Sequence, residues 1–163
     1  MSYPPVRFAA EAGEASALLR SAVAPPDLVM GTTAAVHHLA TGTSTQGSFG
    51  LYRWEMPGPP SGPSAHFHRT LSESFYVLSG TVRLYNGRRW VDAAAGDFLY
   101  VPPGGVHAFR NDSGEPASML LLFAPGAPRE AYFAELAEIA ASGRELDGSQ
   151  WAELYARHDQ YQA

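Results

Sequence analysis

From Thr32 onward the chain is a succession of short β-type runs, each closed by Gly, Pro, Ser or Asn, with no long helical stretch among them. The runs cover residues 33–39, 48–56, 73–78, 81–85, 89–92, 97–101, 106–110 and 118–123. Several alternate in polarity, as in Leu51-Tyr52-Arg53-Trp54-Glu55-Met56, which is the period-two pattern of a half-buried strand. Asn86-Gly87 lies between two runs and suits a tight type I′ hairpin turn. Many short strands with regular turn signals predict an antiparallel sandwich or barrel.

The flanks differ from this pattern. Residues 14–23 can make a short helix that Pro25-Pro26 ends. After the last strand, Pro128 is a good first helical residue and Gly143 a good stop, with Tyr132, Phe133, Leu136 and Ile139 on one stripe between them. A second helix is expected from Ser149 to about His158, presenting Trp151, Leu154 and Tyr155 on one side. Amphipathic tails of this kind cover a barrel face or an edge strand more often than they carry chemistry. A chain of 163 residues suits one domain, with a barrel over about 32–124 and a helical extension over about 127–160.

Composition narrows the function. With a net charge of −5 the chain offers no basic footprint for nucleic acid or anionic lipid, so small molecules or a second copy are the expected partners. Without cysteine, any metal must be held by imidazole and carboxylate. The two prolines in Met1 to Arg7, with no apolar stretch after them, do not read as a secretory signal, and the apolar run 119–124 is too short to cross a bilayer. A cytoplasmic protein is expected.

His66 and His68 lie two apart, so on an extended segment both imidazoles point to one face. Glu73 opens the strand that follows the next turn and can bring a carboxylate to the same place. The segment Gly96-Asp97-Phe98-Leu99-Tyr100-Val101-Pro102-Pro103-Gly104-Gly105-Val106-His107 reads as strand, Pro/Gly turn and returning strand, which lets His107 face back across the barrel. Three imidazoles and one carboxylate suit a single divalent transition metal, whether Fe, Mn, Ni, Co, Cu or Zn. Strand parity turns Phe75 inward with Glu73 and Phe109 inward with His107, and Tyr52 and Trp54 share a face, so these four are candidates for an aromatic substrate pocket. His37 and His38 are adjacent, point to opposite faces and cannot both serve one site, and His158 is expected in solvent. No Gly-x-Ser-x-Gly, phosphate-binding loop or dinucleotide-binding glycine pattern is present.

These motifs resemble the cupin superfamily. His66-Phe67-His68, four residues, Glu73, six residues, Gly80 matches its first motif. Gly96, five residues, Pro102-x-Gly104, two residues, His107, three residues, Asn111 matches the second, with fifteen residues between the motifs. One position departs, since Pro60 stands where the first motif usually opens with Gly, although Gly58 and Gly62 are near. The phrase Ser74-Phe75-Tyr76-Val77-Leu78-Ser79-Gly80, the segment from Leu39 to Gly47 and the helical tail are similar to single-domain quercetin 2,3-dioxygenase-like cupins. The resemblance implies an all-β cupin barrel, one metal held by His66, His68, Glu73 and His107, and Glu73 as catalytic base. It also implies a dioxygenase acting on a small aromatic or enolic compound such as a flavonol, and a homodimer. A metal-dependent isomerase or cyclase that consumes no oxygen, and a non-catalytic binding module, fit the same residues.

Overall fold

The computed structural model describes residues 2–163. Ten strands precede the helices: β1 (Leu28–Met30), β2 (Ala34–Ala40), β3 (Gly50–Met56), β4 (His66–Phe67), β5 (Ser72–Ser79), β6 (Thr81–Tyr85), β7 (Trp90–Ala94), β8 (Phe98–Val101), β9 (Ala108–Arg110) and β10 (Ala117–Ala124). Helices α1 (Arg129–Ser142) and α2 (Gly148–Arg157) follow, and β11 (Tyr161–Gln162) ends the chain.

The larger sheet has the order β1-β2-β3-β10-β5-β8 and the smaller β7-β6-β9, every pairing antiparallel. A two-stranded ribbon, β11-β4, is spliced to β9 by two bridges, Ser61–Asn111 and His66–His107. Gly62 makes the first splice possible. Its φ is +134°, and a Cβ there would lie 2.0 Å from the Phe109 carbonyl oxygen, so only glycine lets the loop lie this close. The loop thus finds its glycine two residues after Pro60.

The inner faces of the two sheets make one core. Val36, Tyr52, Trp54, Phe75, Val77, Met119, Leu121 and Phe123 come from the larger sheet, and Val82, Leu84, Ala93 and Phe109 from the smaller. Alternation is strict where a strand has one wet face: β10 and β3 change between buried and half-buried at every residue. Phe109 bridges the sheets, its ring centroid 5.9 Å from those of both Trp54 and Phe75.

α1 closes one side of the barrel. Phe133 meets Tyr52 and Trp54 edge-on at 5.3 and 5.2 Å, and Gly143 ends the helix in a left-handed conformation. α2 starts with a capping box in which Asp147 accepts from the backbone of Ser149 and Gln150, while the Gln150 side chain accepts from the Asp147 N–H.

Two local expectations are corrected. Residues 14–23 are not helical, and Leu18 and Leu19 are 87% and 96% exposed. A helix of that length needs a packed face to hold it, and this one has none. The hairpin at Asn86 is not a two-residue turn, because Tyr85 pairs with Trp90 across four intervening residues. Asn86 Oδ1 accepts from the backbone of Arg88 and Arg89 and closes the turn with its side chain, and of Asn86 and Gly87 only Gly87 has positive φ. Among the described residues, no helix is long and apolar enough to cross a membrane.

Candidate metal centre

The splice between β4 and β9 builds the centre. His66 and His107 exchange both backbone hydrogen bonds at 2.9 Å, which puts their imidazoles side by side with ring centroids 4.4 Å apart. His68 lies just beyond β4, on the same face as His66 by the alternation of an extended chain. Glu73 is the second residue of β5, held between Phe123 of β10 and Val101 of β8. One ligand atom from each of the four residues lies within 4.8 Å of all the others, and all four residues are buried.

Backbone carbonyls fix the tautomer of each imidazole. Nδ1–H of His66 donates to the Ser64 carbonyl at 2.8 Å, that of His68 to the Asp159 carbonyl at 2.6 Å, and that of His107 to the Gly105 carbonyl at 2.9 Å. With Nδ1 carrying the proton, a neutral imidazole has its lone pair on Nε2. His68 Nε2 and His107 Nε2 lie 3.0 and 2.9 Å from Glu73 Oε2. Lone pairs and a carboxylate cannot satisfy one another without a positive charge between them. The donor set therefore fits a divalent cation, with each imidazole oriented from behind by a carbonyl.

Titration follows the same logic. Burial lowers the His66 imidazole to about 4, against partial compensation by the Glu73 charge. For His107 burial works in the same direction, but the contact with Glu73 outweighs it and raises the pKa above the ordinary value. Burial opposes the charge on Glu73, yet His107 and His68 more than offset this and hold the carboxyl well below the usual range.

A cavity of about 210 Å³ opens onto His66 and Glu73. Trp54 and Phe109, both expected in a pocket, line it. Tyr52 and Phe75, expected beside them, do not. Tyr52 is spent on the core, packed against Phe123 and Phe133 with its hydroxyl donating to Glu130 at 2.5 Å, and Phe75 lies against His107 and Phe109. Parity places a side chain inside the barrel without saying which part of the interior it fills.

The helical tail does more than cover a face. Arg129, Tyr132, Phe133, Trp151, Tyr155 and Gln160 form much of the cavity wall. Asp159 braces the centre as well: its carboxylate accepts from the backbone of Arg69 and Thr70 and from the Thr70 hydroxyl, while its carbonyl holds His68. His158, expected in solvent, is half-buried, with Nε2 2.9 Å from Glu135 and its ring against Tyr132. His37 is buried on the outer face beside Arg53, and His38 packs inward against Tyr52, so neither reaches the cluster.

With that geometry in view, the chain matches, over residues 53–123, the family described as the cupin domain. It is 38% identical over 48 residues to quercetin 2,3-dioxygenase of Bacillus subtilis (strain 168), a stretch that is 29% of this chain and only 14% of that enzyme. Among solved structures, a predicted oxalate decarboxylase from Thermotoga maritima aligns with a TM-score of 0.59 at 20% identity, over 67% of this chain and 99% of the other. An RmlC-like cupin from Shewanella frigidimarina NCIMB 400 aligns with a TM-score of 0.53 at 19% identity, over 63% and 86%. At these identities the two structures share the fold alone.

A proton-NMR titration of the chelator-treated protein checks the electrostatics. His66 should titrate near 4 and His107 above 6.5, each assigned by its Gln variant. Unfolded His66 takes up a proton near 6.5, so this residue makes the fold less stable as pH falls from 6.5 towards 4. His107 acts oppositely: its contribution is full below 6.5 and is lost as pH rises through its folded value. Two histidines titrating together near 6.5 would contradict the arrangement.

Proposed function

We propose that the protein is a metal-dependent cupin oxygenase that acts on a small aromatic or enolic substrate. The observation that carries this reading is the convergence of three carbonyl-anchored imidazoles and one carboxylate at the wall of an aromatic cavity. His66, His68, Glu73 and His107 would hold one Fe, Mn, Ni, Co, Cu or Zn ion. Such an ion supplies Lewis acidity towards an enolate oxygen and, where it is redox-active, a site for dioxygen. The local likeness to a quercetin dioxygenase supports the choice of reaction class.

The residues of the chain divide the remaining work. Glu73 is ionised at neutral pH, and among the described residues only its Oε2 is engaged, which leaves Oε1 to accept a substrate proton. The contacts with His107 and His68 outweigh the opposing effect of burial and keep this carboxylate ionised, as an acceptor must be. Trp54 and Phe109 offer edges and faces to a planar substrate, and the apolar wall keeps bulk water away. Burial pushes the Tyr132 phenol above its ordinary value, so it stays protonated and can donate to a substrate oxygen.

We also propose that the protein pairs with a second copy across β8. This strand is an edge of the larger sheet, and Phe98 and Tyr100 are 63% and 57% exposed beside the exposed Tyr76 and Leu78. Sedimentation should give twice the chain mass for the wild type and the single-chain mass for Phe98→Glu/Tyr100→Glu. A wild-type monomer would contradict the pairing.

Oxygen uptake tests the reaction. Protein reconstituted in turn with each of the six metals should consume dioxygen with at least one compound from a panel of flavonols, aryl enols and aryl keto acids. Glu73→Gln should lower that rate by about 10² to 10⁴. Turnover without oxygen uptake would select an isomerase or cyclase, and saturable binding without turnover a binding module.

A further inference from the structure

Arg129 is the other charge in the cavity. It is 4% exposed, at the first residue of α1, and its guanidinium lies over the rings of Tyr132, Phe123 and Phe133 at 4.4, 5.0 and 5.5 Å. Nη1 donates to the His158 carbonyl at 2.8 Å, and Nη2 reaches Gln160 Oε1 only at 3.5 Å. Nε has no hydrogen-bond partner among the described residues. Nor does any of their carboxylates form an ion pair with this side chain.

A buried guanidinium in that condition is costly unless something anionic completes it. Helix packing alone does not call for it, since a leucine or methionine would fill the same apolar contacts. Charge in the cavity agrees. Glu73 and Arg129 are the two residues with formal charge on its wall. With a divalent ion on the cluster, Glu73 is more than neutralised, and the site as a whole is positive. An anionic ligand balances it.

Size narrows the ligand further. An apolar cavity of about 150 Å³ takes benzene, whereas sites for drug-sized ligands run from about 300 Å³. The 210 Å³ found here suits one substituted ring between Trp54, Phe109 and Trp151.

We propose that Arg129 anchors the carboxylate of a single-ring aromatic acid, with the ring packed between Trp54, Phe109 and Trp151 and its other substituents turned towards Glu73 and His66. Where the fate of that acid is concerned, the assignment rests on the oxygenase reading. The binding itself does not, since the carboxylate anchor and the ring contacts lie outside the metal cluster. The guanidinium has the buried, unpartnered Nε–H and the loosely held Nη2–H left to give to the two carboxylate oxygens, the first of them on a small turn of the side chain towards the cavity.

Trp54 and Trp151 line the cavity, so intrinsic fluorescence reports its occupancy. Benzoate and its neutral isostere benzamide are titrated into the protein twice, once loaded with zinc and once after chelation. Benzoate should bind at least about tenfold more tightly in both states, the margin expected of a hydrogen bond to a charged group. Arg129→Gln should lose that preference while retaining its zinc and its far-UV circular dichroism. Should this variant fail to fold, Arg129→Lys keeps the charge without Nε–H and should weaken benzoate by about tenfold while leaving benzamide unchanged. Equal affinity for the two probes, or a preference seen only with zinc, would overturn the assignment. Benzoate selectivity without oxygen uptake on any substrate upholds the anion site and removes the oxygenase reading. Uptake without selectivity does the reverse.

Discussion

The reciprocal backbone pairing of His66 with His107 is the constraint from which the rest of the centre follows. Those two hydrogen bonds join β4 to the strand entering β9 and put two imidazoles in one rigid frame. His68 then shares the face of His66, and β5 delivers Glu73 from the opposite sheet. Carbonyl oxygens behind all three Nδ1 atoms leave three lone pairs and one carboxylate pointing at a single place. A protein that buries this combination without a cation must protonate one of its imidazoles, and the opposed shifts of His66 and His107 express that tension.

The two charges on the cavity wall are handled differently. Glu73 is compensated locally by the imidazoles and by the ion they would hold. Arg129, equally buried, meets aromatic faces, the His158 carbonyl and Gln160 Oε1, and no carboxylate pairs with it directly. The C-terminal segment links the two. Asp159 fixes the loop that carries His68, the His158 carbonyl holds Arg129, and β11 pairs with β4. Tail, centre and cavity wall are thus mechanically one unit, and a change in the last residues of the chain is felt at His68.

The barrel strands and the four-residue cluster were legible in the sequence because both rest on short spacings. Alternation with period two locates a strand within a few residues, and His66, His68 and Glu73 fall within one turn and its flanks. His107 is distant, but the Pro/Gly turn before it announces the reversal. Arg129, Asp159 and Gln160 gave no such signal. Asp159 meets His68 across 91 positions and Arg129 meets His158 across 29, and nothing local marks either contact. At the other end, the expected helix over residues 14–23 failed because helical composition without a packing partner does not hold a helix in water. The inward position of Tyr52 and Phe75 was readable, but not their use as core, since both faces of the choice lie inside the same barrel.

The central claim is that these four buried side chains hold one transition metal. Elemental analysis of the purified protein after metal reconstitution and exhaustive dialysis, with His107→Ala treated in parallel, tests it most directly. About one equivalent per chain, lost in the variant, is the predicted result. A wild-type protein that retains none of the six metals, or a variant that keeps a full equivalent, would contradict it.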